Sequence, residues 1–340
     1  MKTQYIKEIF SAFVNEDKQK FMEFANAIIT DEKKLNHNLI ANQLSEILNQ
    51  VNSENPHYDR NYNKRYKNNI PIPRDNEKGF PLLEIKEFDL SWNDLLVEQE
   101  LKIILQDIVK GFWNREIIYS YGLKPKQKLL FFGLPGTGKT LTAKILSSTL
   151  GLPLVLVRFD SIVSSYLGET ASNLKKIFDF IEKGNWVVLL DEFDVVGKQR
   201  DDQHEHGEIK RVVNNFMQML DSFNGESLII AATNHQHLLD PGIWRRFDDI
   251  LNFELPDLKC RESLFRYYFK TVRKSKIEYD QLAFMSEKLS AADISMVVSD
   301  SIRQMVIEGK SDISMENILT TVNKFLKRKT LESNNQSNYA

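Results

Sequence analysis

Between residues 88 and 255, short runs of apolar residues alternate with longer stretches in which apolar residues recur every three or four positions. A short continuous apolar run is typical of a strand that is buried on both faces, and the second pattern is typical of a helix with one buried face. Their regular alternation predicts an α/β fold, in which helices cover both faces of a parallel sheet. We expect a sheet of five parallel strands, at Leu129–Phe132, Leu154–Val157, Val187–Leu190, Leu228–Ala232 and Ile250–Phe253.

The chain on either side of this α/β core has no strand pattern. Residues 1–50 contain short amphipathic stretches, which predict a small all-helical module suited to docking. Residues 51–87 are rich in Asn, Tyr, Lys and Arg and contain prolines, so we expect a linker or an extended arm. Residues 256–330 return to a helical period and predict a helical lid subdomain, whereas the polar residues 331–340 predict a disordered tail.

Composition and charge exclude several classes of protein. The chain has 340 residues, of which 42% are hydrophobic and 27% are charged, as is ordinary for a soluble globular protein. The formal net charge is −2, so the molecule as a whole has no electrostatic bias toward nucleic acid or membranes. A single cysteine, Cys260, excludes an internal disulfide. Because no apolar stretch reaches the length of a signal peptide or a membrane span, we expect a cytoplasmic protein without a membrane partner.

The arm interleaves aromatic and basic residues in a way that could bind single-stranded nucleic acid through stacking and charge. Acidic residues on both sides dilute this charge, so a solvated linker is the simpler interpretation. A nucleic-acid partner is therefore not favoured, although it stays open. The aromatic and basic residues concerned are Tyr58, Arg60, Tyr62, Lys64, Arg65, Tyr66 and Lys67.

The first predicted strand of the core runs directly into a glycine-rich segment, Gly133–Thr140, and an amphipathic run follows. Strand, glycine loop and helix in this order are the context of a phosphate-binding loop. The glycines let successive backbone N–H groups point at an anion, and the helix N-terminus adds positive charge. Lys139 can reach the β and γ phosphates of ATP, and the Thr140 hydroxyl can ligate Mg²⁺. We expect the nucleotide to contact Pro135, Gly136, Thr137, Gly138, Lys139, Thr140 and Leu141.

Polar residues at the ends of two further strands supply the groups that hydrolysis needs. Asp191 and Glu192 follow a buried strand, and ligands of parallel sheets bind outside the carboxyl ends of the strands. Asp191 is then placed to hold Mg²⁺, and Glu192 to polarise a water for attack on the γ-phosphate. Asn234 ends the next apolar strand, and its amide can orient the attacking water or touch the γ-phosphate.

Two adjacent arginines, Arg245 and Arg246, precede the last predicted strand. Arginine stabilises the spread negative charge of a transferring phosphoryl group, either within its own chain or from a neighbour. The alternative is a surface ion pair, which contributes little to stability. We include both arginines among the candidate catalytic residues.

The order and spacing of these motifs resemble those of the AAA family of ATPases, and the resemblance extends from about Phe88 to Lys327. The family implies a P-loop core with a helical lid and an assembly into a ring, usually a hexamer. The corresponding elements are the Walker A loop at Gly133–Thr140, the Walker B acids Asp191 and Glu192, the first sensor Asn234, the paired arginine fingers Arg245 and Arg246, and the second-sensor region Ser290–Ile294.

The resemblance also implies that ATP lies between subunits, so that Arg245 and Arg246 act on the ATP of the neighbouring subunit. One position departs from the family pattern. Ala292 stands where the family commonly has glycine close to the nucleotide, which makes contacts to adenine there less certain.

A further match concerns the substrate. The segment Ser164–Thr170 resembles the first pore loop of the family, in which Tyr166, Leu167 and Gly168 would line a central channel. A tyrosine offers a rigid amphipathic surface that can grip an extended chain without reading its sequence. Asp201–Glu208 would correspond to a second pore loop.

These residues together favour an ATP-driven homo-oligomeric ring, by resemblance a hexamer, that threads, unfolds or remodels a protein substrate. Two alternatives stay open: an ATP switch that assembles on nucleic acid through the arm, and an ATP-gated adaptor that recruits a separate protease.

Overall fold

In the computed structural model, the chain forms two compact units, Met1–Arg60 and Asn61–Ala340. In the first unit the described residues are all helical. The predicted helical module as a whole stays a prediction, and the arm Tyr58–Lys67 lies outside the described residues. Everything below concerns the second unit. The structure describes residues 20, 23–25, 27–28, 30, 70–75, 79–158, 167–193, 206–235, 241–274 and 276–337.

The second unit is built on one six-stranded sheet with the strand order β1-β3-β4-β5-β2-β6. The five predicted strands are all present, and every pairing among them is parallel. The α/β prediction is therefore confirmed. The strands are β1 Glu84–Lys86, β2 Lys128–Gly133, β3 Leu154–Arg158, β4 Val187–Asp191, β5 Leu228–Thr233 and β6 Asp249–Phe253.

The sixth strand, β1, corrects the predicted count of five. It pairs antiparallel with β3 at one edge of the sheet, inside the segment 51–87 that the composition predicts to be a linker. The strand has three residues, of which Glu84 and Lys86 are exposed and only Ile85 is partly buried. Because an edge strand with one inward side chain leaves no apolar run, the hydrophobic pattern could not reveal it.

The described helices lie between these strands and, after β6, follow one another directly. No helix among the described residues is both long and apolar enough to cross a membrane. The helices are α1 Gln99–Trp113, α2 Arg115–Ser120, α3 Lys139–Leu150, α4 Leu167–Ile181, α5 His206–Ser222, α6 Pro241–Trp244, α7 Leu258–Tyr268, α8 Tyr279–Met285, α9 Ala291–Ile307 and α10 Met315–Ser337.

Buried apolar side chains form separate clusters around the sheet and among the last four helices. One cluster joins β4 and β5 to the inner faces of α4 and α5, with Trp186, Phe193 and Phe216 among its largest members. The other is enclosed by α7, α8, α9 and α10 and contains Phe265 and Phe269. The helical lid thus has a core of its own, although it belongs to the same compact unit as the sheet.

The last helix continues to Ser337, past residue 331, where the polar sequence predicts a disordered tail. Its first half is anchored in the lid cluster by Ile318, Val322 and Phe325. A helix that has been nucleated by buried residues can extend into polar sequence, because each added residue gains one backbone hydrogen bond without a new nucleation penalty.

Candidate functional site

The glycine loop connects β2 to α3 at the carboxyl edge of the sheet. Gly138 takes a left-handed backbone conformation with φ of 106°, and α3 begins at the next residue. The Thr137 hydroxyl donates to the Leu134 carbonyl over 2.8 Å, and this hydrogen bond connects the two sides of the loop. The first N–H groups of α3 have no carbonyl of the same helix to bond, so they make this loop a site for an anion.

Lys139 is fixed at the loop by backbone groups. Its side chain is only 7% exposed, and its Nζ donates to the carbonyls of Gly133 (2.7 Å) and Leu134 (2.9 Å). The ammonium therefore lies over the loop that precedes it and adds a full positive charge to the helix N-terminus. This is the arrangement that a nucleotide phosphate needs.

Thr140 and Asp191 come together from α3 and from the end of β4. The Thr140 hydroxyl donates to Asp191 Oδ2 over 3.2 Å, and the backbone N–H of Glu192 donates to Asp191 Oδ1 over 3.1 Å. A hydroxyl and a carboxylate are the hard oxygen ligands that Mg²⁺ prefers, and Mg²⁺ commonly takes its remaining ligands from water and phosphate. The pair therefore fits the metal, and the described residues contain no cluster of three or more His, Cys, Asp or Glu side chains that would form a complete protein cage.

Glu192 has an unusual backbone. Its φ is +56°, and among the described residues it is the one non-glycine residue with a positive φ. For a residue with a Cβ this left-handed conformation costs about 1 kcal/mol, and such strain is typical of functional sites. The side chain is exposed just beyond the carboxyl end of β4, where a group that activates water must lie.

Asn234 lies at the same edge of the sheet. It follows β5, which pairs with β4 on one side and with β2 on the other. The residue is partly buried, and the preceding Thr233 hydroxyl accepts a hydrogen bond from the His235 N–H over 3.0 Å. The topology thus brings the predicted loop, the two acids and the asparagine to one edge.

The lid touches the loop through the N-terminus of α9. The Ala292 N–H donates to the Gly136 carbonyl over 3.0 Å. A Cβ added to Gly136 would lie 2.7 Å from Ser290 Oγ and 2.8 Å from the Ala292 Cβ, so this approach requires glycine. Ala292, whose contacts the sequence leaves uncertain, therefore meets the phosphate loop through its backbone.

The cap of α9 is tied to the end of the lid. Ser290 and Asp293 form a reciprocal capping box, in which Asp293 Oδ2 also lies 3.1 Å from Lys329 Nζ of α10. Both capping side chains are buried. This network fixes the helix end that faces the loop.

A small cleft lies beside Thr137, between the sheet and the lid. Its lining comes from four separate segments of the chain, so no single spacing in the sequence could reveal it. It is the part of the site that the sequence reasoning missed. The lining residues include Leu96, Val97, Thr137, Phe253, Pro256, Cys260 and Ala291.

Cys260 is one of several polar residues in the wall of this cleft, together with Glu98, Thr137, Asn252 and Glu254. Its thiol is buried and donates to the Leu96 carbonyl, with Sγ and O 3.2 Å apart. Burial, assisted by the negative charges of Asp257 and Glu98, raises the pKa of the thiol to about 11. The side chain is therefore a neutral thiol near pH 7.

Arg245 and Arg246 lie in the turn between α6 and β6. β6 begins at Asp249 opposite Leu129, four residues before Gly133, which corresponds to about 13 Å along the strand. Before this turn, the Trp244 ring packs against the Phe132 ring, with the centroids 5.4 Å apart.

The two arginines differ in their environment. Arg246 donates through Nε to Asp221 Oδ2 over 3.0 Å and through one terminal nitrogen to the Gly242 carbonyl over 2.6 Å. Arg245 is exposed. Arg246 is thus fixed within its own chain, while Arg245 faces outward.

The predicted pore residues fall at the start of α4. The backbone of Leu167 and Gly168 opens this helix, whereas Tyr166 and the segment Asp201–Glu205 lie outside the described residues. Their proposed contacts with a substrate therefore stay predictions.

Comparison with known proteins agrees with this geometry. A family model described as "ATPase family associated with various cellular activities (AAA)" matches residues 129–255. Over 312 residues the chain is 34% identical to an uncharacterized AAA family ATPase of Sinorhizobium fredii, and the match covers 91% of each protein.

More distant relatives carry a functional name. The chain is 30% identical over 246 residues to a proteasome-activating nucleotidase of Saccharolobus solfataricus, a match that covers 70% of this chain and 63% of the relative. It is 26% identical over 272 residues to a proteasome-activating nucleotidase of Methanopyrus kandleri, covering 77% of this chain and 62% of that protein. The chain thus matches less than two thirds of the length of these nucleotidases.

Proposed function

Because this chain belongs to the AAA family of ATPases, and is therefore an enzyme that hydrolyses ATP, we propose that it works as a homo-oligomeric ring, by family resemblance a hexamer, that threads or remodels a protein substrate. One observation carries the proposal of a ring. Arg245 is exposed, and β6, which follows the arginine turn, begins four residues before the phosphate loop, which supports an arginine that acts on a second copy of the chain.

In this proposal the groups at the carboxyl edge of the sheet bind ATP and prepare the water. Lys139 and the first N–H groups of α3 hold the phosphates, and Thr140 and Asp191 hold Mg²⁺. When bound, the metal neutralises charge that develops on the phosphate oxygens. Glu192 takes a proton from the attacking water, and Asn234 orients that water.

We propose that the base of the nucleotide binds in the cleft beside Thr137. The cleft adjoins the loop and is lined largely by apolar side chains, which suits a planar base that must be partly removed from water. Ala291, the first residue of α9, forms its lid side. Binding of the base and closure of the lid are then one event.

The neighbouring subunit supplies the remaining charge. Arg245 is exposed in the turn before β6, and we propose that it contacts the phosphates bound to the neighbouring chain. Arg246, bonded to Asp221 and Gly242, positions the turn that carries Arg245. Hydrolysis is in this way coupled to contact between subunits.

The protein substrate is proposed from two supports. The relatives named proteasome-activating nucleotidases share the ATPase portion of the chain, and Tyr166, Leu167 and Gly168 have the residue types of a pore loop. A separate protease is the corresponding partner for the ring. Since such a ring consumes ATP continuously, we propose that it acts in the cytoplasm, where ATP is regenerated.

The test uses fluorescein-labelled casein, an unstructured protein, as the substrate probe. We expect casein to raise the ATPase rate of the wild type, and Tyr166→Ala to abolish this stimulation while it keeps the basal rate within about twofold, because the pore loop lies outside the hydrolytic groups. Glu192→Gln should bind ATP but hydrolyse it at least about 100-fold more slowly.

Tyr121→Ala is the matched control, since Tyr121 is 78% exposed and lies in a turn that has no predicted role. It should respond to casein like the wild type. Stimulation of Tyr166→Ala equal to that of the wild type would contradict the pore assignment. Stimulation by a single-stranded oligonucleotide in place of casein would favour the nucleic-acid switch.

A further inference from the structure

A segment that precedes α1 is folded back onto the sheet and onto α4. We call residues 70–75 and 79–86 the strap. Its two halves are joined by backbone hydrogen bonds, from the Asp75 N–H to the Phe80 carbonyl (2.9 Å) and from the Leu82 N–H to the Pro73 carbonyl (2.9 Å). The strap is therefore an ordered element with its own hydrogen bonds.

The strap is anchored at two places. Its end is strand β1, which pairs with β3, and Leu82 and Leu83 are buried in the cluster that contains Leu174 and Ile177 of α4. Apolar burial of this kind attaches the strap firmly but does not by itself select a precise position, because apolar contacts are not directional.

A buried polar pair fixes the position of the strap on α4, because a hydrogen bond is directional. Asn173 Nδ2 donates to Asp75 Oδ2 over 2.8 Å, and Asp75 is 9% and Asn173 1% exposed. Nearby, Lys176 Nζ donates to the Arg74 carbonyl over 3.0 Å. A carboxylate is costly to bury unless it is hydrogen-bonded, so the strap and α4 fit together in the single register that makes this bond.

Asn173 lies on the buried face of α4, which is largely apolar. Thr170, Asn173, Leu174 and Ile177 are all buried and follow one another at helical spacing. An amide in the middle of a core-facing stripe has no role in apolar packing. Its presence is explained by the carboxylate that it meets on the strap.

We propose that Asp75 and Asn173 are positioning residues, through which the strap fixes the first turns of α4 and thereby the pore residues Leu167 and Gly168 at its start. The Asp75–Asn173 bond lies six residues, or about 9 Å along the helix axis, from Leu167. The functional consequence rests on the proposed threading of a protein substrate, whereas the positioning itself does not.

The test uses isosteric variants of the full chain, so that side-chain volume stays constant. Asn173→Asp places two carboxylates in contact and breaks the bond. Asp75→Asn with Asn173→Asp exchanges the two groups and restores a carboxylate–amide pair. Asp89→Asn, in an exposed aspartate just after β1, is the control for charge removal.

Amide hydrogen exchange measures directly whether the first turns of α4 are held in place. In Asn173→Asp we expect the amides of Leu167–Asn173 to exchange about tenfold faster, and in the exchanged pair to return to within about threefold of the wild type. Exchange in β5 should not change in any variant. Unchanged exchange in Asn173→Asp, or failure of the exchanged pair to restore it, would overturn the proposal.

The casein-stimulated ATPase rate measures the effect of this positioning on the proposed threading. Asn173→Asp should lose most of the stimulation, about tenfold, while basal turnover and the KM for ATP stay within twofold, and the exchanged pair should recover it. If Tyr166→Ala loses stimulation and Asn173→Asp does not, the strap has no part in threading. If Tyr166→Ala also keeps it, the proposed function fails, and hydrogen exchange alone decides the positioning.

Discussion

Single side chains in the nucleotide site are held largely by backbone groups. Lys139 donates to the Gly133 and Leu134 carbonyls, and Thr137 also donates to the Leu134 carbonyl. The bond between Thr140 and Asp191 is different, since it joins side chains from a helix and from a strand. A change at Asp191 should therefore disturb both the metal and the seating of α3, whereas a change at Lys139 leaves the loop backbone in place.

Cys260 provides a prediction about pH. Its pKa of about 11 means that the thiol is protonated at pH 7.5, and only the thiolate reacts with iodoacetamide. We expect alkylation about 100-fold slower than that of a free cysteine with the ordinary pKa, rising about tenfold per pH unit up to pH 10. Intact-mass measurement gives the rate without ambiguity, because the chain has one cysteine.

ATP should slow this alkylation further, since the thiol lies in the wall of the cleft that we assign to the base. Sucrose-stabilised protein without nucleotide is the control for a general tightening of the fold. Alkylation at pH 7.5 as fast as that of a cysteine peptide would show that the thiol is neither buried nor shifted in pKa.

Residues with a local signature could be predicted, and those without one could not. Gly133–Thr140, Asp191 and Asn234 each follow a recognisable apolar strand, so spacing alone placed them at the carboxyl edge. The cleft residues Leu96 and Cys260 are 164 positions apart and share no pattern, because only the packed lid brings them together.

Helices and loops meet most closely where α9 approaches the phosphate loop. A Cβ added to Gly136 would collide with both Ser290 and Ala292, and the Gly136 carbonyl accepts a hydrogen bond from the Ala292 N–H. The position of α9 relative to the phosphate loop therefore depends on the absence of a side chain at Gly136. Lys329 extends this contact to α10 through Asp293.

Gly136→Ala should separate the two elements. The added Cβ would lie 2.7 Å from Ser290 Oγ, and the φ of +78° is strained for alanine, so α9 must move. We expect the affinity for a fluorescent ATP analogue to fall by at least about tenfold, together with a loss of stability of about 1–3 kcal/mol. Fluorescence titration and thermal unfolding measure the two effects.

Gly309→Ala is the matched control, because Gly309 has a φ of +66° and no atom within 4 Å of the added Cβ. It should lose about 1 kcal/mol of stability from backbone strain and keep its affinity for the nucleotide. Equal affinities in the two variants would mean that the lid contact does not contribute to binding.

Elements with a buried face were predicted more successfully than elements at an edge. The five parallel strands were found because each is a continuous apolar run. β1 was missed because Glu84 and Lys86 face solvent, and the strap because its anchor, Asp75, is a charged residue that composition assigns to a linker. Burial of a carboxylate depends on its partner, Asn173, which lies 98 positions away.

In the proposed ring, each chain would contribute to two nucleotide sites. Loop, acids and asparagine lie at the carboxyl edge of the sheet, and the arginine turn precedes β6, which begins beside Leu129. A chain of this design is suited to repeat around a ring, because each copy offers one half to the neighbour on either side.

Mixed rings test this arrangement. Lys139→Ala and Arg245→Ala should each be nearly inactive alone. When they are co-assembled in equal amounts, about a quarter of the interfaces join an intact loop to an intact arginine, so about a quarter of the wild-type ATPase rate should return. An arginine that acted on its own chain would return none.

Lys139→Ala co-assembled with Glu192→Gln is the control. Both residues lie at the carboxyl edge of one chain, so no interface in that mixture has both groups intact and the rate should stay low. Recovery in this control would indicate that the two residues serve different nucleotides.

The short strand β1 also determines where a truncated fragment of the protein can begin. β3 is a buried apolar strand, and without β1 its edge would present free N–H and C=O groups to any other chain. Glu84 and Lys86 instead give that border charged side chains, which discourage the addition of further strands. A fragment starting at residue 88, the border that hydrophobic patterning suggests, would therefore tend to aggregate. A fragment starting at residue 70 keeps the sheet closed and is the shorter form suited to expression.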